Sequence, residues 1–366
     1  MKLFSVFALV LTLLATPALA AENPAAPAKP IIKIGVTIPL TGDLAYAGEG
    51  VRNAVNMALQ ALPPDTKYAY QVVFEDDGLE AKRAAAAANK MISTDKVDAL
   101  ISYSSGMGGV VSPIAEQNKI LHFGITSAAS IADGDYNFTH VTPPSDEARL
   151  MVAELKKRGI KKVAGMFMNQ QGALEIRDAF VHEIKGTDIT LVADKIINPS
   201  EKDFRGLLAK AKAQNPEIYL IVSFTPQLEI LVKQIKEAGI TQPITSILSF
   251  SLSNEIGLFE GMWYVGDSMA NKSFETQYRA RFGKALYWGV PNAYDIFNLI
   301  VYGYEHKNAA AKPVTLDVAK TLYTVKDYDG VLGKLSINDK GVVFSTATVR
   351  TIKDGKSVLL DEAGNK

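Results

Sequence analysis

From Ile31 onward, short apolar runs alternate with stretches whose apolar positions recur at helical spacing. The runs include IIKIGVT, YQVVFED, DALIS, ILHFGI, KKVAGMF, ITLVADKI, IYLIVSF, PITSIL and MWYVGDS. They lack strict apolar–polar alternation, as strands covered on both faces of a parallel sheet do. In the first intervening stretch Val51, Ala54, Val55, Ala58 and Leu62 fall on one helical face. Strand–helix alternation of this kind predicts doubly wound α/β lobes. With 366 residues, 48% of them hydrophobic, the chain can supply two lobes with a core each.

A faint internal repeat sharpens this picture. ALISYSSGMGGVVSPIAEQNKI (99–120) and IYLIVSFTPQLEILVKQIKEAGI (218–240) each read as strand, small polar loop with an aromatic, and helix. VTIPLTGDLAYAGEGVRNAV (36–55) and AGMFMNQQGALEIRDAFV (164–181) form a second such pair. Two lobes of one kind follow. Ligands of such lobes sit beyond the carboxyl ends of the strands, so these four loops are expected around one cleft.

The loops differ in chemistry. The turn Pro39-Leu40-Thr41-Gly42-Asp43 lacks the G-x-G-x-x-G spacing of a dinucleotide site, and Pro39 has no N–H to offer a phosphate. Thr41 and Asp43 read as turn and cap residues, and Gly48 as helix entry. The loop Tyr103-Ser104-Ser105-Gly106 places hydroxyls and free N–H groups where a helix starts, a site for one anion such as a carboxylate. The same residues also suit a plain N-cap. Thr126, Ser127 and Ser130 crowd the loop after ILHF, as ligand groups or as an ordinary hydroxyl turn.

Lys plus Arg and Asp plus Glu both number 39, so no basic footprint for nucleic acid exists. Residues 1–20 read as a secretory signal cleaved after Ala20, and 21–30 as an Ala/Pro-rich arm. The chain has no cysteine, hence no disulfide and no lipid-bearing cysteine at the cleavage site, and a periplasmic location is expected. Of the four histidines, His122 lies in an apolar strand, His182 and His306 lie in helix patterns, and His140 is read as a loop residue within reach of ligand. The absence of H-E-x-x-H and G-x-S-x-G speaks against an enzyme. The acids Glu75-Asp76-Asp77 suit a helix start better than a metal. No metal or cofactor is expected.

Taken together in order and spacing, IGVTIPLTGDLAYAGEGVRNAVNMAL, ALISYSSGMGGVVSPIAEQNKIL, ITSAASIAD, VTPPSDEARLM and FEGMWYVGDS resemble the periplasmic leucine/isoleucine/valine-binding proteins. The resemblance covers nearly all of the chain after the signal. It implies two Rossmann-like lobes joined by a three-crossover hinge, with lobe one at 31–143 and 271–327 and lobe two at 144–270 and 328–366. It implies carboxylate and amine contacts at Ser105, Ala128 (through backbone) and Ser130, flanked by Tyr103 and Ser104. Tyr46 falls beside the family's first aromatic position, Gln171 at its lobe-two Tyr-Gly turn, and Phe224 and Phe250 along the ligand's apolar body. The family's acid for the ammonium belongs in 247–254, where Ser249, Phe250 and Ser251 stand instead. The implied function is delivery of a small carboxylate, above all a branched-chain or other apolar amino acid, to ABC permease subunits by a monomer. An organic acid without an α-amine, a receptor-docking sensor and an exported enzyme are the alternatives.

Overall fold

The computed structural model describes residues 29–253, 255–307 and 311–363. The signal-peptide reading and most of the Ala/Pro arm fall on residues 1–28, outside the described residues.

The chain begins with β1 (Ile31–Ile38), α1 (Ala45–Gln60), β2 (Ala69–Asp76), α2 (Ala81–Lys90), β3 (Ala99–Tyr103), α3 (Ser105–Asn118), β4 (Leu121–Ile125) and β5 (Asn137–His140). It crosses over into α4 (Pro144–Lys157), β6 (Lys162–Met168), α5 (Gln171–Glu183), β7 (Thr190–Ile197), α6 (Arg205–Lys212), β8 (Ile218–Val222), α7 (Gln227–Glu237), β9 (Ile244–Ser246) and β10 (Trp263–Gly266). It returns through α8 (Lys272–Phe282), α9 (Val290–Glu305), α10 (Thr315–Tyr323), β11 (Tyr328–Gly330), β12 (Gly333–Ile337) and β13 (Val342–Phe344). The hairpin β14 (Thr348–Lys353) and β15 (Lys356–Leu359) ends it.

Lobe one is a sheet of order β11-β12-β13-β5-β4-β3-β1-β2. Lobe two holds β7-β6-β8-β9, continued through a bridge between Ile247 and Val265 to the sheet β10-β14-β15. The central strands β3, β4 and β8 are buried at every residue, which is why they read as unbroken apolar runs. One face of the lobe-one sheet packs on α1 and α9 and the other on α2 and α3. Gly48 is required where α1 crosses the first turn, because a Cβ there would lie 1.7 Å from the Pro39 carbonyl oxygen.

Both lobes repeat one topology. Strands run 2-1-3-4 from the edge in lobe one (β2-β1-β3-β4) and again in lobe two (β7-β6-β8-β9). The two sequence repeats occupy equivalent places: β3–α3 matches β8–α7, and β1–α1 matches β6–α5. In each lobe the strand order reverses direction between the first and third strands, the switch point where α/β sheets open a crevice.

Three crossovers join the lobes, at 141–143, 267–271 and 345–347. The assignment of 328–366 to lobe two is corrected for 328–344. There β13 pairs parallel with β5, and Asp295 of α9 accepts the Val331 and Leu332 N–H groups at 2.7 and 3.1 Å. The crossovers are tied together: Thr142 N–H donates to Asp267 at 3.0 Å, and the Thr142 and Ser345 hydroxyls share a 2.8 Å bond. His140 is also corrected. It is a wholly buried residue of β5, 3.8 Å from Asp295, and does not border the cleft.

Candidate functional site

The loops at the two switch points face each other across a cavity of about 290 Å³ between the lobes. From lobe one come the ends of β1 and β3, with Tyr287 and Trp288 ahead of α9. From lobe two come the ends of β6 and β8, with Leu248 and Leu252. The lining contains no Asp, Glu, Lys, Arg or His. A ligand charge there must be met by dipoles and hydrogen bonds rather than by a formal ion pair.

The first loop is held from outside the cavity. Asp76 accepts from Leu40 N–H at 2.8 Å, Thr41 Oγ1 at 2.7 Å and Gly78 N–H at 3.0 Å. Against the upward push of burial, these bonds and Arg83 hold its carboxyl at about 2. This acid therefore pins a turn, and the loop delivers Tyr46 and Ala47 to the cavity wall.

Ser104 turns β3 into α3 with a positive φ of 75°, a costly backbone for a serine. Its hydroxyl caps the helix by accepting from Met107 N–H at 3.4 Å. The first-turn N–H groups of α3, at Ser105 and Gly106, have no partner one turn back and form a positive dipole end beside the cavity. The Ser105 and Thr126 hydroxyls share a 2.7 Å bond, and Thr126 Oγ1 also accepts from Ala128 N–H at 3.0 Å. When Thr126 donates to Ser105, the Ser105 proton is free for an anion in the cavity. β3 and β4 are parallel neighbours, so both serine-bearing loops open on the same edge.

The wall beyond this polar corner is aromatic. Tyr103 and Trp288 meet edge to face at 5.3 Å, as do Tyr46 and Tyr287 at 4.9 Å. Phe224 closes it from lobe two. The lobes touch around the cavity, so the structure is closed. Tyr46 Oη donates to the Leu252 carbonyl at 2.8 Å, and Gln171 Nε2 donates to Ser130 Oγ at 3.3 Å. Burial pushes the Tyr46 hydroxyl up to about 12, the Thr225 hydroxyl opposes this, and the Glu229 charge adds to it, so the proton stays in place to donate.

Of the expected site residues, Tyr46, Tyr103, Ser104, Ser105 and Phe224 line the cavity together. Ala128 lies behind it, with its N–H given to Thr126 and its carbonyl to Ile131 N–H. Ser130 and Gln171 are exposed and meet each other across the rim, Ser130 also reaching Glu175 at 3.5 Å. Phe250 is removed from the site: it is 0% exposed, stacked on Phe259 at 4.4 Å in the core of lobe two. An apolar residue reads alike whether it covers a core or a ligand.

The sequence reading missed Gln170, Thr225 and the pair Tyr287-Trp288. Gln170 caps α5, accepting from Gly172 and Ala173 N–H at 3.0 and 3.4 Å. Capping glutamines carry no strong signal, whereas an aromatic pair just ahead of Gly289 and Pro291 was a visible loop feature.

The family model for periplasmic binding proteins matches residues 31–356. The Leu/Ile/Val-binding protein homolog 3 of Brucella melitensis is 26% identical over 347 residues, 90% of this chain and 94% of that protein. Another Leu/Ile/Val-binding relative is matched over 58% of its own length. A leucine-binding protein from Thermotoga maritima superposes with a TM-score of 0.81 at 22% identity, covering 90% of this chain and 97% of that one. A solute-binding protein of an ABC transporter from R. palustris, solved in complex with benzoate, gives 0.80 at 18%, covering 90% and 95%. These two structures speak to the fold alone.

Proposed function

Because this chain belongs to the periplasmic binding protein family, with the Leu/Ile/Val-binding proteins among its relatives, we propose that it captures a small apolar carboxylate in the periplasm. It hands that solute, as a single chain, to the permease of an ABC importer. The preferred ligand is a branched-chain or other apolar amino acid. The observation that carries this reading is the interlobe cavity of about 290 Å³, in which the α3 N-terminus and Ser105 form one polar corner of an otherwise largely apolar wall. A carboxylate fits that corner through charge-assisted hydrogen bonds, and a branched or aromatic body fits the rings opposite.

A second reading, an aromatic acid without an amine, draws on the absence of any acidic side chain from the lining and on the benzoate-bound relative in structure. The test is a thermal-shift screen of the mature protein against apolar amino acids and organic acids, followed by small-angle scattering. Stabilisation by carboxylates, lost when the carboxylate is amidated, together with compaction on binding, is the expected result. Stabilisation by neutral or cationic solutes alone refutes the carboxylate reading.

A further inference from the structure

One shell behind the cavity wall lies Glu229, in the first turn of α7 and 3% exposed. Its Oε1 accepts from Thr225 Oγ1 at 2.7 Å and from Ser253 Oγ. Its Oε2 is buried with no hydrogen-bond partner, and among the described residues no cation pairs with it. The positive end of the α7 dipole lies close by, yet a buried carboxylate with one bare oxygen remains under-compensated. Thr225 lines the cavity.

A threonine hydroxyl has one proton. Thr225 spends it on Glu229, so a ligand group that reaches this hydroxyl meets lone pairs only, backed by the Glu229 carboxylate. The opposite corner, at the α3 N-terminus, presents donors. Thr225 thus accepts where the α3 corner donates, the two ends that a zwitterion needs.

We propose that Thr225, positioned and polarised by Glu229, recognises the α-ammonium of the solute and so selects amino acids over their deaminated analogues. Glu229 is a positioning residue here, since its carboxylate acts through Thr225. It takes over the part expected of an acid in 247–254, where no acid stands. The cavity carries no other formal charge to oppose a cation. The inference rests on the carboxylate-binding reading above and adds the amine to it.

The experiment is calorimetry with matched pairs, leucine against 4-methyl-2-oxopentanoate and phenylalanine against phenylpyruvate, on wild type, Glu229→Gln, Glu229→Asp and Thr225→Val. Wild type is expected to favour the amino acid of a pair. Glu229→Gln and Thr225→Val should each weaken the amino acid by about tenfold or more, while the 2-oxo acid shifts by less than about threefold. Glu229→Asp should recover part of the loss, which a packing role would not produce. Equal losses for both members of a pair would reduce Glu229 to structural support and overturn the proposal. Wild-type binding of the 2-oxo acids alone would overturn it and leave the carboxylate reading standing. Binding of neither series would overturn it too, and the thermal-shift screen then decides the carboxylate reading.

Discussion

Gly172→Ala tests whether the closed structure is the ligand-holding one. Gly172 opens α5 in lobe two and faces Ser105 at the start of α3 in lobe one. A Cβ on Gly172 would stand 2.7 Å from Ser105 Oγ and 3.6 Å from Ser105 Cβ. Ordinary contact begins near 3.4 Å, so the shortfall is 3.4 − 2.7 = 0.7 Å. Ser105 cannot swing away freely, because its hydroxyl is held by Thr126 at 2.7 Å. Either that bond breaks, at about 1 kcal/mol, or the lobes stand apart at an overpacking cost of about 1–3 kcal/mol. Both costs fall only on the closed state, so ligand affinity should drop by roughly 5- to 150-fold. The open protein should lose nothing, and alanine in a helix is favoured over glycine by about 1 kcal/mol. The expected signature is therefore weaker binding in calorimetry, less compaction in scattering, and an unchanged or raised melting temperature without ligand. Ser105→Ala in the same chain should relieve part of the closure defect. Wild-type affinity in Gly172→Ala would show that the two helix starts do not meet when ligand is bound.

Tyr46→Phe removes the 2.8 Å hydrogen bond across the cleft to Leu252 and should weaken ligand by about fivefold, seen as a faster release in stopped flow, with the wall otherwise unchanged. Ser105→Ala should cost about tenfold or more in carboxylate affinity, whereas Ser130→Ala, at the exposed rim, should cost less than about threefold. Equal effects of the two in calorimetry would place the carboxylate at the rim. Glu147 in α4 has neither carboxyl oxygen hydrogen-bonded; burial and neighbouring Asp267 push its proton affinity well above the ordinary 4.5, with Arg350 opposing. The folded state then holds a proton that the unfolded chain releases, so this group's contribution makes stability fall as pH rises above about 4.5. Glu147→Gln keeps the neutral shape and should flatten that slope between pH 4.5 and neutrality in thermal melts; an unchanged slope would refute the assignment.

The alternation of apolar runs with helical patterns determined the doubly wound lobes, because a strand covered on both faces must be apolar throughout. It also determined where the polar loops lie along the chain. Ser104 and Ser105 stand where a strand gives way to a helix, and a doubly wound sheet opens its crevice at the junctions beside its switch point. Local pattern says which residues avoid water, but not what covers them. Phe250 and Phe224 look alike in sequence, yet one stacks in the core of lobe two and the other borders the cleft. Glu229 reads as an ordinary first-turn acid until Thr225 and Ser253 are found around it. The strands β11 to β13 are only three to five residues long, and their return to lobe one rests on β5 and Asp295. Ser130 and Gln171 meet only because the lobes close. Apart from the Thr225–Glu229 bond, which spans four residues, the deciding contact comes from a separate element or from the other lobe, and its geometry is set by how whole sheets pack and how the hinge is bent.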